Sequence, residues 1–343
     1  DSSLLYDEGR RGPIGGGTTT IVYDHRAHAV RRQFLSLGGT VRNCAGGPTP
    51  WGSWLTCEEA TPRAGDSCEH DHGYVFEVPA LSDSGLVRAV PLRAMGRFRH
   101  EAVAVDPRTG IVYQTEDRDD GCIYRFIPRT PGRLADGGRL QVLACRDHGG
   151  LDTRNWSRRT VTPGESLSTR WINIGNVEAP RDDLRTRGWM TGGARFARGE
   201  GMWFGHGEVY FACTTGGERR LGQIWRYRPS PAEGTSGEDR APGTLELFVE
   251  PRRSSVARNA DNLTVAPTGD LFVCEDGDGT DRILVVDPEG RVATFARNRV
   301  NADELAGICF SPDGSTAFVN IQGKGVTLAI SGPWTTGRHL GHS

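Results

Sequence analysis

Oxygen-bearing side chains recur at one place in a repeated pattern. Glu101 lies 9 residues before Gly110, Asn43 lies 9 before Gly52, Asp261 lies 8 before Gly269, Glu200 lies 7 before Gly207, and Glu304 lies 10 before Gly314. A second set of acids closes the apolar stretch after the turn, as Glu58-Glu59, Glu116-Asp117 and Glu275-Asp276. Carboxylates gathered in one small cavity cannot all ionise without strong repulsion, so they take up protons or bind cations. Hard metal ions ligated by carboxylate and amide oxygens are the less costly resolution. Cys57 adds a soft donor immediately before Glu58. A thiolate among carboxylates favours a transition metal such as iron over calcium or magnesium alone. Cys274 at the same repeat offset keeps open the plainer reading, a packed thiol. Arg198 and Glu200 are two apart and project the same way from a strand. A guanidinium there is either a counter-charge or the fork that grips a phosphate or carboxylate. His100 beside Glu101 points to the opposite face and reads as structural.

Other chemistries lack their motifs. No Gly-x-Gly-x-x-Gly opens a helix, Gly15-Gly16-Gly17 precedes a strand, and Gly-x-Ser-x-Gly is missing. The Asp276–Asp281 run imitates part of a calcium loop without its closing glutamate, so it reads as a turn, with calcium binding left open.

The elements that must position these groups come from a degenerate repeat. Its clearest copy runs from Arg99 through Glu101 and Val105, turns at Asp106–Gly110, and returns through Ile111–Asp117 to a third strand at Cys122–Ile127. Four further copies contain the turn glycines 52, 207, 269 and 314, and a partial sixth lies in Leu4–Tyr23. The spacings of 58, 97, 62 and 45 between successive turn glycines show a pattern swollen by insertions. Short strands between Gly/Pro turns predict antiparallel blades, and a lone blade cannot bury both its faces. The expectation is an all-β six-bladed β-propeller with four-stranded antiparallel blades. It forms one domain over residues 1–343, with an irregular insertion at about 130–195. A β-sandwich does not account for acids at one recurring offset.

Composition sets the limits. The 343 residues carry 41 basic and 43 acidic side chains, so there is no basic excess to displace the counterions of nucleic acid. Charged residues at 24% and hydrophobic ones at 36% exclude wholesale disorder. No apolar run approaches the roughly 18–20 residues of a membrane span. With 47 glycines and 19 prolines, turns and short strands are favoured over long helices. Eight cysteines are too sparse for a disulfide-stapled scaffold, although Cys68 and Cys122 precede equivalent strands in adjacent copies and are a conceivable pair. The sequence begins at Asp1 with no signal peptide in it, consistent with a removed leader.

The run Asn43-Cys44-Ala45-Gly46-Gly47-Pro48-Thr49-Pro50-Trp51-Gly52-Ser53-Trp54-Leu55-Thr56-Cys57-Glu58-Glu59 resembles the signature of the PhoX-type alkaline phosphatases. Further matches are Gly96–Ala102, Phe196–Gly201, Ala260–Leu263 and Glu304–Gly307, so the resemblance spans roughly 40–325. It implies a six-bladed propeller holding two ferric ions, up to three calcium ions and a bridging oxo or hydroxo group. It also implies hydrolysis of small phosphate monoesters outside the cytoplasm, after export to the periplasm or medium. Carried onto matching positions, Cys57, Glu101 and Glu200 are iron ligands. Asp261 and Glu304, with some of Glu58, Glu59, Glu116 and Glu275, are calcium or bridging ligands. Arg198 holds the phosphoryl oxygens, and Asn43 joins it as a catalytic candidate. The first blade is short here (Leu4–Gly17), and no lysine or asparagine from it completes the phosphate site. Metal binding is therefore better grounded than phosphatase specificity. Two other readings stay open: a calcium-dependent propeller lactonase or esterase, and a non-catalytic calcium-stabilised binding propeller. The expected partner is a small phosphate ester, with no nucleic acid and no membrane span, and the protein is expected to be a monomer.

Overall fold

The computed structural model describes residues 2–332 and 334. Asp1, Pro333 and residues 335–343, which the domain expected over 1–343 included, lie outside the described residues. The chain divides into two compact units, each described by itself. The first comprises Asp1–Asp152, Ser168–Gly199 and Ser230–Gly243; the second comprises Thr153–Leu167, Glu200–Pro229 and Thr244–Ser343.

The first unit opens with a hairpin of β1 (Gly16–Asp24) and β2 (Ala29–Thr40), followed by a three-stranded sheet of β3 (Asn43–Pro48), β4 (Ser53–Glu58) and β5 (Val75–Pro79). Next come β6 (His100–Val105), β7 (Val112–Glu116), β8 (Ile123–Pro128), β9 (Gly138–Cys145) and β10 (Ser166–Asn173), antiparallel neighbours in chain order. The stretch about 130–195 thus holds the β9–β10 pair and a seven-residue helix, α1 (Leu184–Met190), which buries Leu184 and Gly188. The second unit contains β11 (Gly199–Gly205), β12 (Glu208–Cys213), β13 (Gln223–Arg228) and β14 (Thr244–Val249). Two more sheets follow: β15 (Ala260–Val265), β16 (Leu271–Glu275), β17 (Arg282–Val286) and β18 (Val292–Arg297), then β19 (Leu305–Phe310), β20 (Thr316–Ile321) and β21 (Val326–Ser331). The fold is all-β; among the described residues β15–β18 form a four-stranded sheet, β3–β5 and β19–β21 form three-stranded ones, and β6–β14 belong to a longer, nine-stranded series.

Several strands read as unbroken apolar runs because both faces are covered. β6 (His-Glu-Ala-Val-Ala-Val) and β17 (Arg-Ile-Leu-Val-Val) are buried at every position. In the first unit Leu55, Phe98, Val103, Tyr124, Phe126 and Val142 share one core. In the second, Ala212, Leu263, Val273 and Leu284 form one cluster and Phe272, Ile283, Leu305 and Val319 another. Each fully buried Leu, Val, Ile or Phe contributes about 1.5–3 kcal/mol. His100 belongs to this interior: it stacks on Phe98 with ring centroids 3.6 Å apart, and burial pushes it down to about 3, so it is neutral.

A register shift recurs near the start of four first strands, β3, β6, β15 and β19. In β3–β4 it falls between the pairs Asn43↔Glu58 and Gly46↔Thr56; in β6–β7, between His100↔Glu116 and Val103↔Gln114; in β15–β16, between Ala260↔Glu275 and Leu263↔Val273. β19–β20 shifts likewise between Ala306 and Cys309. Such bulges re-aim a side chain out of the regular alternation, and the residue entering them is Cys44, Glu101 or Asp261. Backbones approach closely beside these bulges within each unit. A Cβ on Gly47 would stand 2.1 Å from the Val103 carbonyl oxygen, and one on Gly201 would stand 2.8 Å from that of Asp261.

Cys68 and Cys122 are both buried thiols without a disulfide, so the suggested pairing is not formed. The Asp276–Asp281 turn is filled from within the protein: Arg258 bonds the Asp278 carbonyl and the Asp281 carboxylate, and Asp281 also accepts the Gly277 amide.

Candidate functional site

In the first unit, Cys44, Glu59 and Glu101 each offer a ligand atom, and these atoms lie within 4.8 Å of one another. Cys44 and Glu101 come from equivalent bulges, one exposed and the other buried. Glu59 follows β4, where its amide bonds the Arg42 carbonyl. Arg42 lies in the left-handed region at φ 49°, and Arg198 repeats this conformation at φ 53°. Strained non-glycine backbone of this kind persists where surrounding structure enforces it. Arg198 grips Asp117 as a fork, Nε to Oδ1 at 2.7 Å and Nη2 to Oδ2 at 3.0 Å. Its side chain remains 36% exposed against 9% for Asp117, so an anion can approach the guanidinium. Burial pushes Glu59 up to about 7, reinforced by a hydrogen bond and charge repulsion from Asp117; Arg42 and Arg198 oppose this.

In the second unit, Asp261, Asp276 and Glu304 bring carboxylate oxygens within 4.8 Å of one another, and Glu200 comes equally close to Asp261. Burial and the neighbouring charge of Asp261 push Glu304 up to about 8. Glu304 arrives from a different position than Glu101 and Asp261. It precedes β19, and its carbonyl accepts the Gln322 amide as that of Arg42 accepts the Glu59 amide.

The second-strand acids do other work. Glu58 accepts from the amides of Val41, Gly73 and Tyr74 and lies 2.6 Å from His72 Nδ1. Glu116 accepts from the Cys122 amide and the Tyr124 hydroxyl, faces Arg185, and is pushed up to about 7 by burial. Glu275 is clasped by Arg282 Nε and Nη2 at 2.7 and 2.6 Å and accepts the Arg258 amide. Glu58 and Glu275 are bonded at both oxygens, whereas Glu116 Oε1 has no hydrogen-bond partner and lies 3.7 Å from Arg185 Nη1; all three are absent from the donor groups above. Cys57 is also absent from them; it is fully buried, and burial followed by the Glu101 charge pushes its thiol up. Asn43 is engaged with Thr40 Oγ1 at 2.5 Å and Thr56 Oγ1 at 3.1 Å.

The sulfur beside the carboxylates is therefore that of Cys44, a residue the turn-glycine count passed over. Counting back from the second-strand acid finds it: Cys44 lies 14 before Glu58, and Asp261 lies 14 before Glu275. Crowded carboxylates that retain protons near neutrality, with one accessible thiol, are a donor set suited to cations. The two donor groups differ, since only the one around Cys44 offers sulfur and only that one stands beside Arg198's partner Asp117.

Among solved structures, the chain is similar to a gluconolactonase from Xanthomonas campestris (12% identity, 93% of this chain and 88% of that one, TM-score 0.46). It is also similar to a periplasmic gluconolactonase from Pseudomonas aeruginosa (15% identity, 96% and 78%, TM-score 0.46). A third is a putative 6-phosphogluconolactonase from Bacteroides fragilis (12% identity, 95% and 91%, TM-score 0.48). No curated protein matches the chain. Among the described residues no helix is long and apolar enough to cross a membrane. The family described as alkaline phosphatase PhoX matches residues 20–325, nearly the whole chain, and the protein belongs to that family.

Proposed function

We propose that the protein is a metal-dependent phosphatase acting on phosphate esters outside the cytoplasm, and that its sheets are propeller blades, six by the count of the sequence repeat. The observation that carries this reading is the fork-held Arg198 beside a group of one thiol and two carboxylates in a chain of this family. Cys44, Glu59 and Glu101 would hold the transition metal, with calcium the better match to the all-oxygen set of Asp261, Asp276, Glu304 and Glu200. When bound, such ions supply the positive charge that offsets a phosphate dianion and the Lewis acidity that activates water.

The chain's own groups bind and orient. Asp117 accepts two N–H bonds from Arg198 and so fixes the plane of the guanidinium. A planar fork held in place meets phosphoryl oxygens without reorganising, which is where arginine exceeds lysine. Asp117 also hydrogen-bonds the Glu59 carboxyl, so the same residue ties the guanidinium to the donor group.

Elemental analysis combined with p-nitrophenyl phosphate hydrolysis, with and without calcium, tests the reading. We expect iron, calcium and turnover together. Cys44→Ser should lose the iron, whereas Cys57→Ser should keep it. Calcium-loaded protein that contains no transition metal and leaves the ester intact would overturn the proposal.

A further inference from the structure

A different donor set lies in the first unit, built from the N-terminal segment and the loop before β5. Asp7, Cys68 and His72 each present one ligand atom, and these atoms lie within 4.8 Å of one another. All three residues are buried, at 2%, 1% and 0% exposure. His72 Nδ1 is 2.6 Å from Glu58 Oε1, and Glu58 is itself anchored by the amides of Gly73 and Tyr74. In that contact Nδ1–H donates to the Glu58 carboxylate, and Nε2 is turned toward Asp7 Oδ2, 3.2 Å away. Asp7 is aimed as well: Oδ2 accepts from the Glu69 and His70 amides at 2.8 and 2.7 Å, and Oδ1 from that of Gly9 at 2.7 Å. A carboxylate behind one imidazole nitrogen, with the other nitrogen facing a thiol and a second carboxylate, is how metal-ligating histidines are oriented.

We propose that Asp7, Cys68 and His72 form a buried zinc-class site that staples the N-terminal segment to the loop ahead of β5. It is independent of the phosphatase reading and shares no ligand with it. The sulfur, nitrogen and oxygen donors are those zinc takes, and oxygen and nitrogen ligands at about 2.0–2.1 Å from a tetrahedral zinc stand about 3.3 Å apart. The 3.2 Å between Asp7 Oδ2 and His72 Nε2 matches that span.

The test uses the full chain carrying Cys44→Ser, which removes the sulfur of the other donor group. Stripped with chelator and loaded with cobalt(II), it should develop a near-ultraviolet sulfur-to-cobalt band that zinc abolishes and that the added change Cys68→Ser prevents. The zinc-edge absorption spectrum of the zinc-loaded Cys44→Ser protein should show one sulfur at about 2.3 Å and lighter ligands at about 2.0–2.1 Å. A cobalt band that persists after Cys68→Ser overturns the site. So does a zinc shell without sulfur, or failure to retain zinc. The absorption measurement decides alone if the double variant does not fold. Because Cys44 is absent throughout, loss of iron or of phosphatase activity has no bearing on the outcome.

Discussion

Arg198 combines a left-handed backbone, at φ 53°, with a side chain clamped by Asp117 and still 36% exposed. A surface fork without further purpose contributes little, about 0–1 kcal/mol, yet here it sits in the signature Arg198-Gly199-Glu200. Replacing it tests whether the fork acts on substrate. Arg198→Gln should lower kcat/KM for p-nitrophenyl phosphate by about 100- to 1,000-fold, the usual loss when one preorganised donor to a charged transition state is removed. Arg198→Lys should recover only part of this, since an ammonium cannot bind two phosphoryl oxygens in one plane. Metal content should stay constant in both variants. Steady-state kinetics with matched metal analysis checks this, and an unchanged kcat/KM in Arg198→Gln would remove the residue from phosphate binding.

The sheets owe their shape to two repeated devices. One is the bulge that opens the first strand and turns Cys44, Glu101 and Asp261 out of alternation. The other is the buried acid that ends the second strand and ties the neighbouring loops to it, as Glu58, Glu116 and Glu275 do. A brace and a ligand respond differently to substitution. Glu275→Gln leaves Arg282 buried without its charge partner, a loss of about 3–5 kcal/mol when a buried pair is broken. Chemical denaturation should register that drop while calcium and iron content per folded chain stay as in the parent. Loss of metal without loss of stability would instead make Glu275 a ligand.

For the molecule as a whole, the raised carboxyls link stability to pH. Glu59 and Glu304 titrate at about 7 and about 8 in the folded chain, against 4.5 for the free side chain. The native state therefore binds protons more tightly than the unfolded state, and stability falls as pH rises through the interval between those values. Metal-free protein should lose melting temperature between about pH 4.5 and pH 8. Saturating calcium should flatten that decline by taking the protons' place, adding about 2.7 kcal/mol at a hundredfold excess over Kd. Melting curves across this range, with chelator and with calcium, make the comparison. A metal-free protein whose stability rises over the same interval would mean that these carboxyls are already ionised.

Sequence by itself determined the all-β class, the repeat and the acids singled out as candidate donors, because Gly/Pro turns, continuous apolar strands and charge are local properties that survive without a partner. It also carried the long signature that places the chain in its family. Tertiary structure alone decided which of those donors are available. Glu58, Glu116 and Glu275 are acids like Glu59, Glu101 and Asp261, yet they accept from an amide, a tyrosine and an arginine that strand pairing and the following turn bring back to them. Cys44 and Cys57 differ for the same reason. A bulge, which exists only once two strands have paired, turns one sulfur toward the carboxylates, and close packing buries the other.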